Sequence, residues 1–471
     1  MTNRTTVTVR MYRLSELGDC FLLTFKSGGT TSRMLIDCGS FRNGKDSIAT
    51  LRRIVADIAG DLKGDPLDIL VGTHQHNDHL SGFVHCEDAF RKIGIGQVWL
   101  PWLDNPADRK ATDIGAAHSK LTKSLVQVRD KLRDSGPTAR GLRSLATLDG
   151  VLGFLGATQV GVPELPAQAV EFLKGVGRTK PEYLRPGRIL DLPGLPKDTV
   201  RAYVLGPPRD TESLYRKNPR AGESYDHTLA AAAESASLLM AAAATRAGSK
   251  RDYTPHYPFG DSFKRRNASS RSAALKRLTA DYGNTHQAWR RIDDDWLDQA
   301  ETLAIYLDTF TNNSSLVLAI ELVASGKVLL FAADAQTGNW LSWDKVKWQD
   351  PKTSTDDLLA RTVLYKVGHH GSHNATLVDV LDNKLTHPDL IALIPVDKHD
   401  PNIDRENGWK MPAPNLFRRL REKTSNRVLR MDGDYADGCD PRKQPARSAW
   451  ARAGVKPRIT DMYVELSIDD K

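Results

Sequence analysis

The sequence predicts an α/β fold interrupted by two mainly helical insertions, and three observations predict it. Short apolar runs bounded by turn residues alternate with one amphipathic helix over residues 1–103. Such runs return after Thr309. Between them, 105–180 and 211–300 are rich in Ala, Lys, Arg and Asp in helical patterns, with few strand signals.

Val9–Leu14 and Phe21–Phe25 read as strands separated by the turn around Gly18, and Met34–Ile36 as a third that ends at Asp37-Cys38-Gly39. Over Ser47–Ala59, Ile48, Leu51, Ile54, Val55 and Ile58 fall on one helical face, with Asp46 available as N-cap. Pro66 leads into the strand Leu67–Val71, which runs straight into Gly72-Thr73-His74, and Val98–Leu100 is closed by Pro101. The strand-like island Val200–Leu205 ends at Gly206-Pro207-Pro208. Ser315–Leu322 and Lys327–Phe331 predict a hairpin turning at Ser325-Gly326. Val363–Val367, Leu390–Ile394, Arg427–Leu429 and Met462–Ser467 complete the strands. The chain thus divides into core segments 1–103, 185–210 and 301–471, with insertions 104–184 and 211–300.

The 471 residues are 40% hydrophobic and 26% charged, which predicts a globular chain with a sizeable core. Met1–Tyr12 is polar, so no secretory signal is expected. The run Leu229–Ala244, mostly alanine and broken by Glu234, Ser235 and Ser237, is too short and weakly apolar to span a bilayer, so no membrane role is expected. Cys20, Cys38, Cys86 and Cys439 form no C-x-x-C pair and read as reduced thiols, which points to the cytoplasm. The net charge of +8 is modest for this length and only supports a polyanionic partner.

The chemistry concentrates at strand ends. Thr73-His74-Gln75-His76-Asn77-Asp78-His79 brings three imidazoles and a carboxylate together directly after a buried strand. This donor set suits zinc, iron or manganese, and packing it as plain core would require a polar partner for every ring. Lys327–Phe331 ends in Ala332-Ala333-Asp334, where a carboxylate serves either as a helix cap or as a ligand. A third segment, Lys366-Val367-Gly368-His369-His370-Gly371-Ser372-His373, again follows a strand and offers three more histidines.

His-x-His-x-Asp-His after a strand resembles the signature of the metallo-β-lactamase superfamily. Leu17-Gly18-Asp19-Cys20, Asn312-Asn313-Ser314-Ser315-Leu316, Phe331-Ala332-Ala333-Asp334, Gly368-His369-His370-Gly371 and Arg430-Met431-Asp432-Gly433-Asp434 narrow the resemblance to the ComEC-like branch, the hydrolase domain of a DNA-uptake protein and its soluble relatives. The resemblance implies a four-layer αββα sandwich and two divalent metal ions, zinc first, with manganese or iron as substitutes. His74 and His76 would hold one ion and Asp78, His79 and His369 the other, bridged by Asp334. Asp37 would orient a ligand histidine from behind. Asp78 and His370 would take part in catalysis, with His370 beside the open side of the site. His373, Lys366 and His399 would meet substrate. A metal-activated hydroxide would then attack phosphorus or a carbonyl carbon.

The chain departs from the family in two places. The further histidine expected on the first metal has no counterpart, since His118, His227, His256 and His286 lie in the insertions. Trp409-Lys410-Met411-Pro412 stands where the branch carries Gly-His-Pro, leaving His399 or Lys398 as substitutes unless their loop is plain surface. The branch leans toward phosphodiesters, so a phosphodiesterase or nuclease is the leading expectation. Lys250-Arg251, Lys264-Arg265-Arg266 and Arg271, interleaved with Tyr253, Tyr257, Phe259 and Phe263, would suit nucleic acid. Alternatives are hydrolysis of an ester, amide or lactam, and a binding or regulatory module whose insertions dock a protein partner.

Overall fold

The computed structural model describes residues 4–134, 139–157, 159, 162–216, 272–284, 295–403, 409–435 and 437–470. The alanine-rich run 229–244 and the basic-aromatic stretch 250–271 lie outside the described residues.

The described strands, in chain order, are β1 (Thr5–Tyr12), β2 (Cys20–Ser27), β3 (Thr30–Cys38), β4 (Leu67–Val71), β5 (Ile95–Pro101), β6 (Glu182–Leu184), β7 (Ile189–Asp191), β8 (Val200–Gly206), β9 (Val317–Leu322), β10 (Lys327–Phe331), β11 (Thr362–Lys366), β12 (Ile391–Ile394), β13 (Val428–Arg430), β14 (Arg458–Ile459) and β15 (Tyr463–Asp469). They build two mixed sheets, ordered β14-β15-β1-β2-β3-β4-β5-β6 and β13-β12-β11-β10-β9-β8-β7. The predicted hairpin forms as β9–β10, with Lys327 opposite Leu322 and Gly326 in the left-handed region at φ 73°.

The two sheets repeat one wiring scheme. β1, β2 and β3 are antiparallel, and β3 through β6 then run parallel. β8, β9 and β10 are antiparallel, and β10 through β13 then run parallel. The inner parallel strands, such as β11 and β12, are buried along their whole length because both of their faces are covered. Phe21 of β2 meets Phe331 of β10 edge-on at 5.7 Å, so the inner faces of the two sheets share one core. Loops leaving the carboxyl ends of β3, β4, β10 and β11 therefore start from corresponding places in the two halves, which is where open α/β sheets place their ligands.

The helix Lys45–Leu62 buries Leu51, Ile54, Val55, Ile58 and Leu62. It begins two residues earlier than the sequence predicts. Gly44 holds the N-cap position and Asp46 sits inside the first turn, without a capping bond.

The first insertion divides. Its helices Arg109–Asp134 and Ala139–Phe154 pack with the helix Asp295–Asn313 around Leu121, Leu125, Leu148, Leu152, Leu303 and Leu307, a core of their own. The helix Leu165–Val176 instead buries Ala169, Val170 and Leu173 in the main core, and β6 joins the edge of the first sheet. Among the described residues no helix is long and apolar enough to cross a membrane. All four cysteines are buried free thiols.

Candidate metal centre

Chain direction at the end of β4 is set by close backbone packing. The helix Asn77–His85 starts at His76 and lies so tight on β3 that a Cβ on Gly82 would stand 2.5 Å from the Cys38 carbonyl oxygen. A Cβ on Gly39 would come within 2.4 Å of the His79 backbone. These glycines let the helix carry His79 onto Asp37, whose own backbone is left-handed at φ 56°. Asp37 accepts from His79 Nδ1 at 2.7 Å, from Thr73 N at 2.9 Å and from Thr73 Oγ1 at 2.6 Å.

The second half supplies Asp334 after β10 and the histidine pair after β11. Ser315 Oγ accepts from the Asp334 backbone N–H at 3.2 Å, which gives the Asn-Asn-Ser-Ser stretch a positioning role. His369 and His370 are both left-handed, at φ 42° and 50°, a conformation that costs roughly 1–2 kcal/mol for each residue with a Cβ. The double turn sends the two rings opposite ways. His370 Nε2 lies 2.9 Å from Asp78 Oδ2 and 3.4 Å from Asp334 Oδ2. His369 Nδ1 turns toward Ser372 Oγ, Asn374 Oδ1 and Gln336 Nε2, 2.9–3.3 Å away.

One ligand atom each from Asp78, His79, Asp334 and His370 lies within 4.8 Å of the others. Beside this group, His74 Nε2 faces His76 Nδ1 at 3.1 Å. None of these six residues is more than 1% exposed. The outer ring nitrogens are anchored: His74 Nδ1 donates to Thr73 Oγ1 at 3.1 Å, His79 Nδ1 to Asp37, and His370 Nδ1 to the Pro395 carbonyl at 2.8 Å. These bonds aim the inner nitrogens of His74, His79 and His370 at a neighbouring ring or at carboxylates. Asp78 Oδ1 and His79 Nε2 are buried without a hydrogen bond.

Electrostatics point the same way. Asp19, Asp37, Asp78 and Asp334 are all buried, and Lys366 is the buried ammonium among them. Burial disfavours the charge on Asp334, but His79, His370 and Lys366 hold its carboxyl well below its usual range. Burial likewise opposes charge on His79, yet Asp334, Asp19, Asp78 and Asp37 raise its pKa well above normal. Burial, reinforced by His79 and His76, keeps His74 neutral. His76 is pushed down to about 4 by burial against the pull of Asp78 and Asp334. Such a surplus of buried carboxylate is what a divalent cation neutralises.

The remaining expected residues fall in several places. His373 is exposed and, with His369, Gln336 and Asn374, lines a cleft of about 680 Å³ beside the centre. Asp308, Trp409, Lys410, Met411 and Leu416 form the rest of its wall. Met411 thus occupies the cleft where the resemblance led to a histidine. Lys366, expected to meet substrate, is 1% exposed and outside the cleft lining, with Nζ 2.5 Å from Asp19 and 3.4 Å from Asp334. Because it is the last residue of a strand whose side chains all lie buried, its ammonium turns to interior acceptors, the Ala333 carbonyl at 2.8 Å and the two carboxylates. His399 is exposed in its loop and lines neither this cleft nor a second cavity of about 280 Å³ at His74. His118 lines that second cavity, bonded to Tyr215 at 2.8 Å, and burial pushes its pKa down to about 3.

Two contributors were missed by sequence reasoning. Asp19 touches Lys366, and Asp308 arrives from a distant helix. The Gly18-Asp19-Cys20 turn was a visible signal for the first, whereas nothing local marks the second.

No model of a known protein family matches the chain, and no curated protein matches it either. The fold is a mixed α/β arrangement of two sheets, and its buried histidines and aspartates form a group able to hold a metal ion.

Proposed function

We propose that the chain is a metal-dependent hydrolase of the metallo-β-lactamase fold, close to the ComEC-like branch, that cleaves phosphodiesters at a two-metal centre. The observation that carries this reading is the convergence of Asp78, His79, Asp334 and His370 from opposite sheets, beside the facing ring nitrogens of His74 and His76. The repeated sheet wiring, with donors at matching strand ends, supports the four-layer αββα assignment.

His74 Nε2 and His76 Nδ1 would hold one ion, and Asp78, His79 and His370 the other, with Asp334 between them. His370 takes this place rather than His369 because its ring is the one turned inward. Zinc suits the donor set, and manganese or iron would also be accepted. When bound, two such ions would activate a water and stabilise charge on the attacking and leaving oxygens.

The chain's own residues do the rest. Asp37, Thr73 and Pro395 hold the ring orientations. His369, part-exposed at the cleft, is placed to protonate a leaving group, with Ser372 and Asn374 steadying its Nδ1. Lys410 and His373 are the cationic and imidazole groups at the cleft wall that an anionic substrate would meet. Burial of the centre excludes bulk water and favours a small phosphodiester or a single strand over a duplex.

The apolar part of the wall, Ile305, Trp409, Met411 and Leu416, favours a second reading in which the substrate is an ester or amide with an apolar group. The deciding experiment pairs elemental analysis of purified protein with hydrolysis of bis(p-nitrophenyl) phosphate, with and without zinc or manganese. The Asp78→Ala/His79→Ala double variant is the control. About two metals per chain, with turnover lost in the variant, supports the phosphodiesterase. Metal-loaded protein inert on phosphodiesters but active on esters or amides favours the second reading. Folded protein that binds no metal and turns over nothing leaves a binding module.

A further inference from the structure

The outer nitrogens of three of the centre's histidines have clear acceptors, namely Thr73 for His74, Asp37 for His79 and Pro395 for His370. His76 is the exception. Its Nδ1 faces His74 Nε2, and its Nε2 is buried without a hydrogen bond. The carboxylate facing that nitrogen belongs to Asp308, with Oδ1 at 3.8 Å. Closing by about 1 Å would turn this separation into a charge-assisted hydrogen bond.

We propose that Asp308 is the positioning residue of His76, and that the helix Asp295–Asn313 thereby completes the first metal site from outside the α/β core. The proposal rests on the two-metal reading of the centre. Its geometry follows the rule set by the neighbouring rings: a fixed acceptor takes the outer N–H, so the inner nitrogen keeps its lone pair for the metal. Asp308 is built for the task. Asn312, one turn further along the same helix, donates Nδ2 to Asp308 Oδ2 at 3.2 Å, and Oδ1 faces His76. On the other side, the ring of Phe154 stands 5.5 Å from His76 and limits its swing. Phe154 ends the helix Ala139–Phe154, which packs on the same helix Asp295–Asn313.

A consequence follows from linkage. If docking of Asp295–Asn313 aids metal binding, metal binding must aid docking by the same factor. The role of the helix is then to tie occupancy of the first site to closure of the cleft wall that Asp308 and Ile305 help to form.

The test measures zinc affinity by chelator competition, and visible absorption after cobalt loading, in wild type, Asp308→Ala and Asp308→Asn. Thermal melts of the metal-free proteins check folding. In Asp308→Ala one metal affinity falls roughly 10–100-fold, the other is unchanged, and the cobalt spectrum of the first site alone shifts. Asp308→Asn, which keeps an acceptor oxygen, falls between the two. Hydrogen exchange over 295–313 slows on adding zinc to wild type and not to Asp308→Ala. Unchanged affinities and spectra in both variants overturn the proposal, as does equal weakening of both sites. Wild type that binds no metal overturns the two-metal reading itself, before Asp308 is at issue.

Discussion

His79 donates from Nδ1 to Asp37 Oδ2 across 2.7 Å, and the same carboxylate takes both the backbone and the hydroxyl proton of Thr73. One buried side chain thus links the end of β3 to the loop after β4 and settles which nitrogen of His79 faces the centre.

Asp37→Ala is therefore expected to do two things. Zinc affinity, read by chelator competition, falls about 10–100-fold because His79 loses its orientation. The metal-free protein loses about 1–3 kcal/mol in urea denaturation, because buried donors on His79 and Thr73 are left unpaired.

The neighbouring histidines separate by their outcomes. His370→Ala removes a ring 2.9 Å from Asp78 and is expected to lose the second metal in elemental analysis. His369→Ala is expected to retain both metals while kcat falls about 10²–10⁴-fold, the range for loss of a proton donor. Equal metal loss in both variants would remove the distinction drawn between the two rings.

Lys366→Met tests burial against substrate contact. Removing the ammonium leaves Asp19 and Asp334 facing each other's charge in the interior, and a broken buried pair costs about 3–5 kcal/mol in denaturant melts. A raised KM with unaltered stability would instead mean that this lysine reaches the cleft.

Asp104 supplies a pH dependence at the second cavity. Burial raises its carboxyl from 3.8 to about 6, against a 2.5 Å bond from Gln75 Nε2. Since the folded pKa is the higher one, the unfolded chain ionises first as pH rises. The group therefore costs stability progressively from near pH 4 to near pH 6, and the full cost persists above that. Asp104→Asn is expected to match wild type at pH 4 and to exceed it by up to about 3 kcal/mol at pH 7–8, in denaturant melts at both values. A constant difference across that range would rule the linkage out.

Much of this architecture was legible locally. Leu67–Val71 and Lys327–Phe331 are strands with the bounds that their apolar runs predicted, because a buried parallel strand is a hydrophobic run stopped by turn residues. The short strands β6, β7 and β14 escaped notice, since two or three residues carry no period to read. How the first insertion packs was not legible either. A helical pattern does not say which core its apolar stripe will meet, and Leu165–Val176 meets the main one.

By itself, the sequence determined that donors would gather at strand ends, since His74, His76, Asp78, His79, Asp334 and His370 all follow apolar runs within a few residues. Tertiary structure decided which donors converge. Two successive left-handed residues turn His370 inward and His369 toward the cleft. The buried end of β11 commits Lys366 to Asp19, and packing of a remote helix brings Asp308 to His76. Periodicity and turn chemistry are short-range properties that neighbouring residues encode. The pairing of a ring nitrogen with its acceptor depends on contacts between segments hundreds of residues apart, and only the packed core sets those distances.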